Sequence, residues 1–215
     1  VTQAKGVSGW RLYARIARLL LDTPSTYAEV VTALGIHIVA CRLILRRMHT
    51  MEMLHICDWQ RSPTRNLLVP VWKFGKGEDA PKPPGAKGNN GATLQPNSEL
   101  IAFRVMLREL TLDHLTSAQL ADYSGTHAKW TDRLVKYMHE LKMVRIADWQ
   151  RPMHSGSPVP MFAFAPHGGQ DMPRPLRMSR KVIDRRNWAK RKAKQQQQRL
   201  LRAIAPNASI FTLVA

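Results

Sequence analysis

The chain repeats itself, and the repetition limits its fold more than any other feature. Met48-His49 and Asp58-Trp59-Gln60-Arg61 recur 90 residues later as Met138-His139 and Asp148-Trp149-Gln150-Arg151. At the same offset Ala28 matches Ala118, Gly35 matches Gly125 and His37 matches His127. Met53, Ile56, Pro70 and Phe74 likewise match Met143, Ile146, Pro160 and Phe164. No gap is needed from Arg18/Arg108 to Phe74/Phe164. Two copies of one small module therefore account for most of the chain, and any function must explain why two are present. A module of about 65–75 residues folds alone only marginally, which leaves room for packing between the copies.

Periodicity gives the order of elements within a copy. Apolar residues at 12, 16, 19 and 20 have helical spacing, with Arg11, Arg15 and Arg18 on the other face, so Trp10–Leu21 is predicted as a helix. Thr26 caps a second helix, Tyr27–Ala33, because its hydroxyl can accept an orphan N–H. Gly35 suits a left-handed turn, and a third helix is predicted from His37 to Thr50. Leu54–Trp59 alternates as a strand, Val69–Phe74 returns, and a polar loop lies between them. The second copy repeats the order: helices Ser98–Leu110, Ser117–Tyr123 and one ending near Leu141, then strands Val144–Trp149 and Val159–Ala165. The expected class is mainly α with small β-hairpins, α+β. The expected divisions are a first module at 8–74, a linker at 75–97, a second module at 98–166 and an extension at 167–215.

The linker is rich in Gly and Pro and reads as solvated. Asp79-Ala-Pro-Lys-Pro83 in it resembles Asp171-Met-Pro-Arg-Pro175, so each module exits through a similar segment. The extension is strongly basic, with Arg180, Lys181, Arg185, Arg186, Lys190, Arg191, Lys192 and Lys194 against a single acid, Asp184, in that stretch. It is expected to be partly disordered, or helical from about Arg180 to Ile204 when bound to nucleic acid. The whole chain carries 33 Lys+Arg against 15 Asp+Glu, a formal charge of +18. That excess concerns partners: it favours nucleic acid or an anionic surface. Cys41 and Cys57 fall in one copy and face Thr131 and Ala147 in the other, so neither is expected in an essential disulfide. Apolar stretches such as Ile36–Leu45 are too short or interrupted for a membrane span of ~20 residues. No export signal is read at the N-terminal end, and a cytoplasmic location is expected, at the nucleoid if the chain is bacterial or phage-encoded.

Three helices with a glycine turn before the third, followed by a hairpin, resemble the winged helix-turn-helix superfamily. Met138-His-Glu-Leu-Lys-Met-Val144 is similar to the end of a winged-helix recognition helix and the turn into its first wing strand. Many members have glycine where this chain has Lys142, and Glu52 in the first copy. The resemblance covers about Trp10–Phe74 and Ser98–Ala165. The segment Trp72–Pro81 also resembles sequences that follow winged-helix modules in phage and mobile-element proteins.

The resemblance implies that the third helices enter the DNA major groove, where side chains distinguish all base pairs. In the second copy the expected outward residues are Thr126, His127, Lys129, Trp130, Asp132, Arg133 and Lys136. In the first copy His37, Arg42 and Arg46 are the candidates, and that helix is apolar enough to be mostly buried instead. His37 and His127 follow the turn glycines and suit a hydrogen bond at the helix start or a phosphate contact. Arg61, Arg65, Arg151 and His154 are expected to contact backbone phosphates from the wings, and Asp58, Trp59 and Gln60 with their mates to be structural. Trp188 in the extension offers a stacking residue.

No phosphate-cradling, zinc-protease or nucleophile-elbow motif is present, and acids are scattered. His37 and Cys41 alone do not make a metal site. No enzyme activity, metal or cofactor is expected. The expectation is a double-stranded DNA-binding protein, a transcription regulator of a phage or mobile element. The alternatives are a replication or partition initiator and an adaptor that binds protein through the apolar third helix of the first module, with self-association as a further partner mode.

Overall fold

The computed structural model describes residues 9–62, 67–84, 95–151, 157–175 and 180–208. The first copy runs α1 (Gly9–Asp22), β1 (Ser25–Thr26), α2 (Tyr27–Leu34), α3 (Ile38–Thr50), β2 (Leu54–Arg61) and β3 (Leu68–Phe74). The second runs α4 (Ser98–Leu112), α5 (Ser117–Ser124), α6 (Ala128–Glu140), β4 (Val144–Gln150) and β5 (Val159–Phe164); α7 (Arg180–Ala208) follows. The fold is mixed α+β, with antiparallel sheets ordered β1-β3-β2 and β4-β5. By compactness the chain divides after Pro173, and both copies lie in the first unit.

Local chemistry sets the helix ends. Thr26 and Thr116 each form a reciprocal capping box, with Glu29 and Gln119 respectively. Two orphan N–H groups are satisfied at each start. Gly35 and Gly125 close α2 and α5 at φ 63°, the left-handed conformation expected of them. His37 and His127 then cap the third helices, each ring Nδ1 accepting the N–H two residues on, at 3.3 and 3.2 Å. Glu52 and Lys142 also take positive φ, 55° and 56°. The turn that favours glycine in the resembled family is therefore kept here by residues with a Cβ, at some cost in strain.

The hairpins differ from expectation in two ways. The first gains a third strand, because β1 pairs with β3 through Ser25↔Trp72 and Thr26↔Val71. The second has only an isolated bridge there, Leu115↔Phe162. Both hairpins also shift register, between Ile56 and Asp58 and between Ile146 and Asp148. A bulge of this kind bends the strand and increases its local twist.

The exit segments are held by the outward-facing backbone groups of the edge strands β2 and β4. Ile56 N–H donates to Asp79 Oδ1 at 2.7 Å, and Ala80 N–H donates to Ile56 O at 2.7 Å. Asp79 Oδ2 meets His49 Nε2 at 2.8 Å, and Trp59 Nε1 donates to Ala80 O at 3.1 Å. The second copy repeats all four bonds, with Ile146, Asp171, Met172, His139 and Trp149. Residues 79–80 are thus docked along an edge strand, contrary to the expectation of a solvated linker. Pairing an edge in this way removes a template for aggregation. The part of the linker at 85–94 lies outside the described residues.

One core runs through both copies. Ile16, Leu20, Leu45 and Met48 belong to the same buried cluster as Phe103, Met106, Leu134 and Met138. At the contact, Tyr13 and Asn97 share hydrogen bonds of 3.2 and 2.9 Å, and Tyr13 packs on Phe103 with ring centroids 6.3 Å apart. Arg18 donates to Pro166 O at 2.8 Å. In α7, Lys, Arg, Gln, Ala and Leu are all good helix formers. They support a helix of 29 residues, about 43 Å long and longer than the expected Arg180–Ile204. Among the described residues no single helix is long and apolar enough to cross a membrane.

Candidate nucleic-acid interface

The turn before each third helix sets its direction. α2 and α3 are bent by 119° across residues 35–37. The same spacing and left-handed glycine separate α5 from α6.

Helix α6 has three distinct sides. Thr131, Leu134, Val135 and Met138 are buried in the core of the second copy. Trp130 and Tyr137 pack edge-on against Trp10 of α1, with centroids 6.1 and 5.8 Å away. His127, Lys129, Arg133 and Lys136 are exposed. Trp130 is therefore a bracing residue, half-buried between repeats, and not the outward aromatic expected from sequence. Thr126 is also turned inward: its hydroxyl lies 2.7 Å from both Ser124 and Thr131 hydroxyls. Asp132 is half-buried and accepts from Lys136 Nζ at 2.8 Å, which moderates that lysine's charge. Among the described residues Lys129 and Arg133 pair with no carboxylate.

Helix α3 presents a different surface. Cys41, Ile44, Leu45 and Met48 are buried. Ile38 and Val39 are exposed, Val39 to 63%. Of the two readings the sequence left open for this helix, mostly buried or facing outward, burial does not hold at its start. Arg42 is exposed, with its guanidinium 4.2 Å from the Tyr27 ring centroid; Arg46 is half-buried. At matching positions Val39 stands for Lys129 and Leu43 for Arg133, so the two third helices offer unlike chemistry.

Of the wing candidates, Arg61 is exposed at the end of β2 and Arg151 is exposed just beyond β4. Arg65 and His154 lie outside the described residues. In α7, Arg185, Lys190, Arg191, Lys192 and Lys194 are exposed, and Lys192 Nζ lies 5.0 Å from the Trp188 ring centroid. The side chains of Arg180, Lys181 and Arg186 lie outside the described set.

Among the described residues two groups titrate away from their ordinary range. Burial pushes the Cys41 thiol up to about 11, against the pull of Arg42. The thiol is a weak donor, and its hydrogen bond to Tyr27 O is 3.7 Å long. Burial also works against ionisation of Asp171, but the Ile146 N–H, the His139 ring and Arg145 outweigh it and lower the carboxyl below its usual 3.8. Among the described residues no three His, Cys, Asp or Glu side chains gather as a metal site.

Sequence reasoning missed the pairing of His49 with Asp79 and of His139 with Asp171. The signal was present. Met-His and Asp-x-Pro-x-Pro each occur twice, but at offsets of 90 and 92 residues, so no single register joins them. No family model matches the chain, and no curated protein matches it. Among solved structures it is similar to a mutant of Lactococcus lactis ZitR, at 20% identity and a TM-score of 0.24. The match covers 34% of this chain and 47% of that one, about half its length, and a score this low does not establish a shared fold.

Proposed function

We propose that the chain binds double-stranded DNA through two helix-turn-helix modules with hairpin wings, and that α7 adds phosphate contacts. The observation that carries the reading is α6: a helix held by the core and by α1, with Lys129, Arg133 and Lys136 facing outward. A bend of 119° over a short glycine turn suits a helix-turn-helix unit. A formal charge of +18 favours a polyanionic partner. Linking two modules raises the effective concentration of the second contact. The unlike surfaces of α3 and α6 favour a non-palindromic site.

The finer reading is a transcription regulator of a phage or mobile element, acting in the cytoplasm at the nucleoid, with no enzyme activity. It rests on the sequence resemblance alone. Replication or partition initiation is the alternative role on the same DNA-binding basis. Exposure of Ile38 and Val39 favours a second reading, in which α3 binds a protein.

Selection from a randomised duplex pool, followed by binding over a salt series, tests the proposal. Affinity should fall steeply with salt, as several phosphates release counterions. Arg133→Ala should cost about 1–3 kcal/mol on the selected site and relax one position, while Arg42→Ala acts less selectively. Weak binding that ignores salt refutes the DNA reading.

A further inference from the structure

Arg11 belongs to the first repeat, yet its guanidinium lies against the second. Its central carbon is 5.1 Å from the Trp10 ring centroid and 5.2 Å from that of Tyr137 on α6. The two rings are themselves set edge to face at 83°. Arg11 is exposed, and among the described residues it pairs with no carboxylate. Tyr137 lies four residues after Arg133, hence next to it along the helix where the packed side borders the exposed one, and Lys129 lies four before Arg133. The guanidinium therefore extends the cationic column of α6 with a charge brought from the other repeat.

This arrangement occurs once. At the matching positions Trp10 becomes Leu100, Arg11 becomes Ile101, and Tyr137 answers to Arg47. Nothing in the repeat itself requires it. An arginine held in the corner between two aromatic rings loses conformational freedom before any ligand arrives, and an exposed side chain keeps N–H groups available. That edge matches the geometry of a phosphate, which a planar guanidinium can grip through two parallel bonds.

We propose that Arg11 is a phosphate-binding residue of the α6 interface, contributed by the first repeat of the same chain and pre-set by Trp10 and Tyr137. Its ligand is a backbone phosphate of duplex DNA beside the groove that α6 enters, so the inference rests on the DNA-binding reading above. The competing role is a lid: an arginine stem can simply cover apolar surface.

The test is binding of the full chain to a labelled duplex across a salt series, for wild type, Arg11→Gln and Arg11→Lys, with thermal melting of each. Arg11→Gln should weaken binding by a similar factor on every sequence and reduce the salt slope by about one. Arg11→Lys should keep the slope and fall between the two in affinity, since it keeps the charge and loses the planar fork. Unchanged affinity and slope for Arg11→Gln, with or without a lower melting temperature, overturns the proposal in favour of the lid. Arg11→Lys equal to wild type overturns the pre-set geometry. Absence of duplex binding by the wild type overturns the DNA reading as well.

Discussion

Replacing Trp10 by alanine should loosen a helix in the other repeat. Trp10 is 6% exposed and touches Trp130 and Tyr137, both on α6. A large aromatic buries about 150–250 Å², which at about 25 cal/mol per Å² corresponds to about 4–6 kcal/mol. That figure is an upper bound, because the unfolded chain already buries part of its apolar surface. Measured Trp→Ala losses in cores run about 3–5 kcal/mol, and we expect that range here. For a unit of this size the melting temperature should drop by about 6–20 °C. Trp10→Leu, which copies Leu100 at the matching position, keeps apolar burial but loses two edge-to-face contacts worth about 0.5–1.5 kcal/mol each. It should therefore cost about 1–3 kcal/mol. Thermal melting gives the size, and amide hydrogen exchange gives the place. Protection should fall along α6 as well as α1. A loss below about 1 kcal/mol for Trp10→Ala, or fraying confined to α1, would refute the bracing role.

Asp171→Asn should cost about 1 kcal/mol, at the low end for a charge-assisted bond because Asp171 is 42% exposed. The folded chain holds this carboxyl below 3.8, so as pH falls the unfolded chain takes up the proton first. The contribution is full above pH 3.8 and is lost below it; a variant with an unchanged acid-unfolding profile would contradict this. Cys41, with its thiol raised from 9.0 to about 11, should resist alkylation at pH 8 while the fold is intact, as read by mass spectrometry. Because the folded chain keeps that proton longer, stability should decline as pH rises from 9 toward 11. Lys142→Gly should raise stability by about 0.5–1 kcal/mol by relieving positive φ. Glu52→Gly should gain less, since Glu52 also meets Lys76 and Arg104 at 3.4 and 3.5 Å. Gly125→Ala should cost about 1 kcal/mol from backbone strain alone, because a Cβ there would meet nothing within 4 Å. Urea unfolding checks all three.

Local chemistry was enough to read much of the second repeat. Thr116 and Gln119 cap one another across three residues, Gly125 turns left-handed by itself, and His127 bonds its own neighbour two residues on. Each interaction spans a few positions, so it is written in the order of residues. The polar column of Lys129, Arg133 and Lys136 was legible for the same reason: helical spacing puts those residues on one side once Leu134, Val135 and Met138 are taken by the core. Trp130 could not be placed that way. Spacing alone set it among the outward residues, and only Trp10, brought up from the other repeat, makes it a packing residue. The exit segments depended in the same way on contacts between distant residues. Asp79 is polar and follows two glycines, which locally reads as solvated. It is docked because β2 is an edge strand and Ile56, at a position that turns its N–H and C=O away from β3, has no ladder partner on that side. The sequence determined which helices form, where they stop, and that the module occurs twice. The tertiary structure decided which cations stay outward and which aromatics become struts. That depends on which faces meet across the repeats, and Trp10 meeting Tyr137 is a contact no periodicity within either repeat encodes.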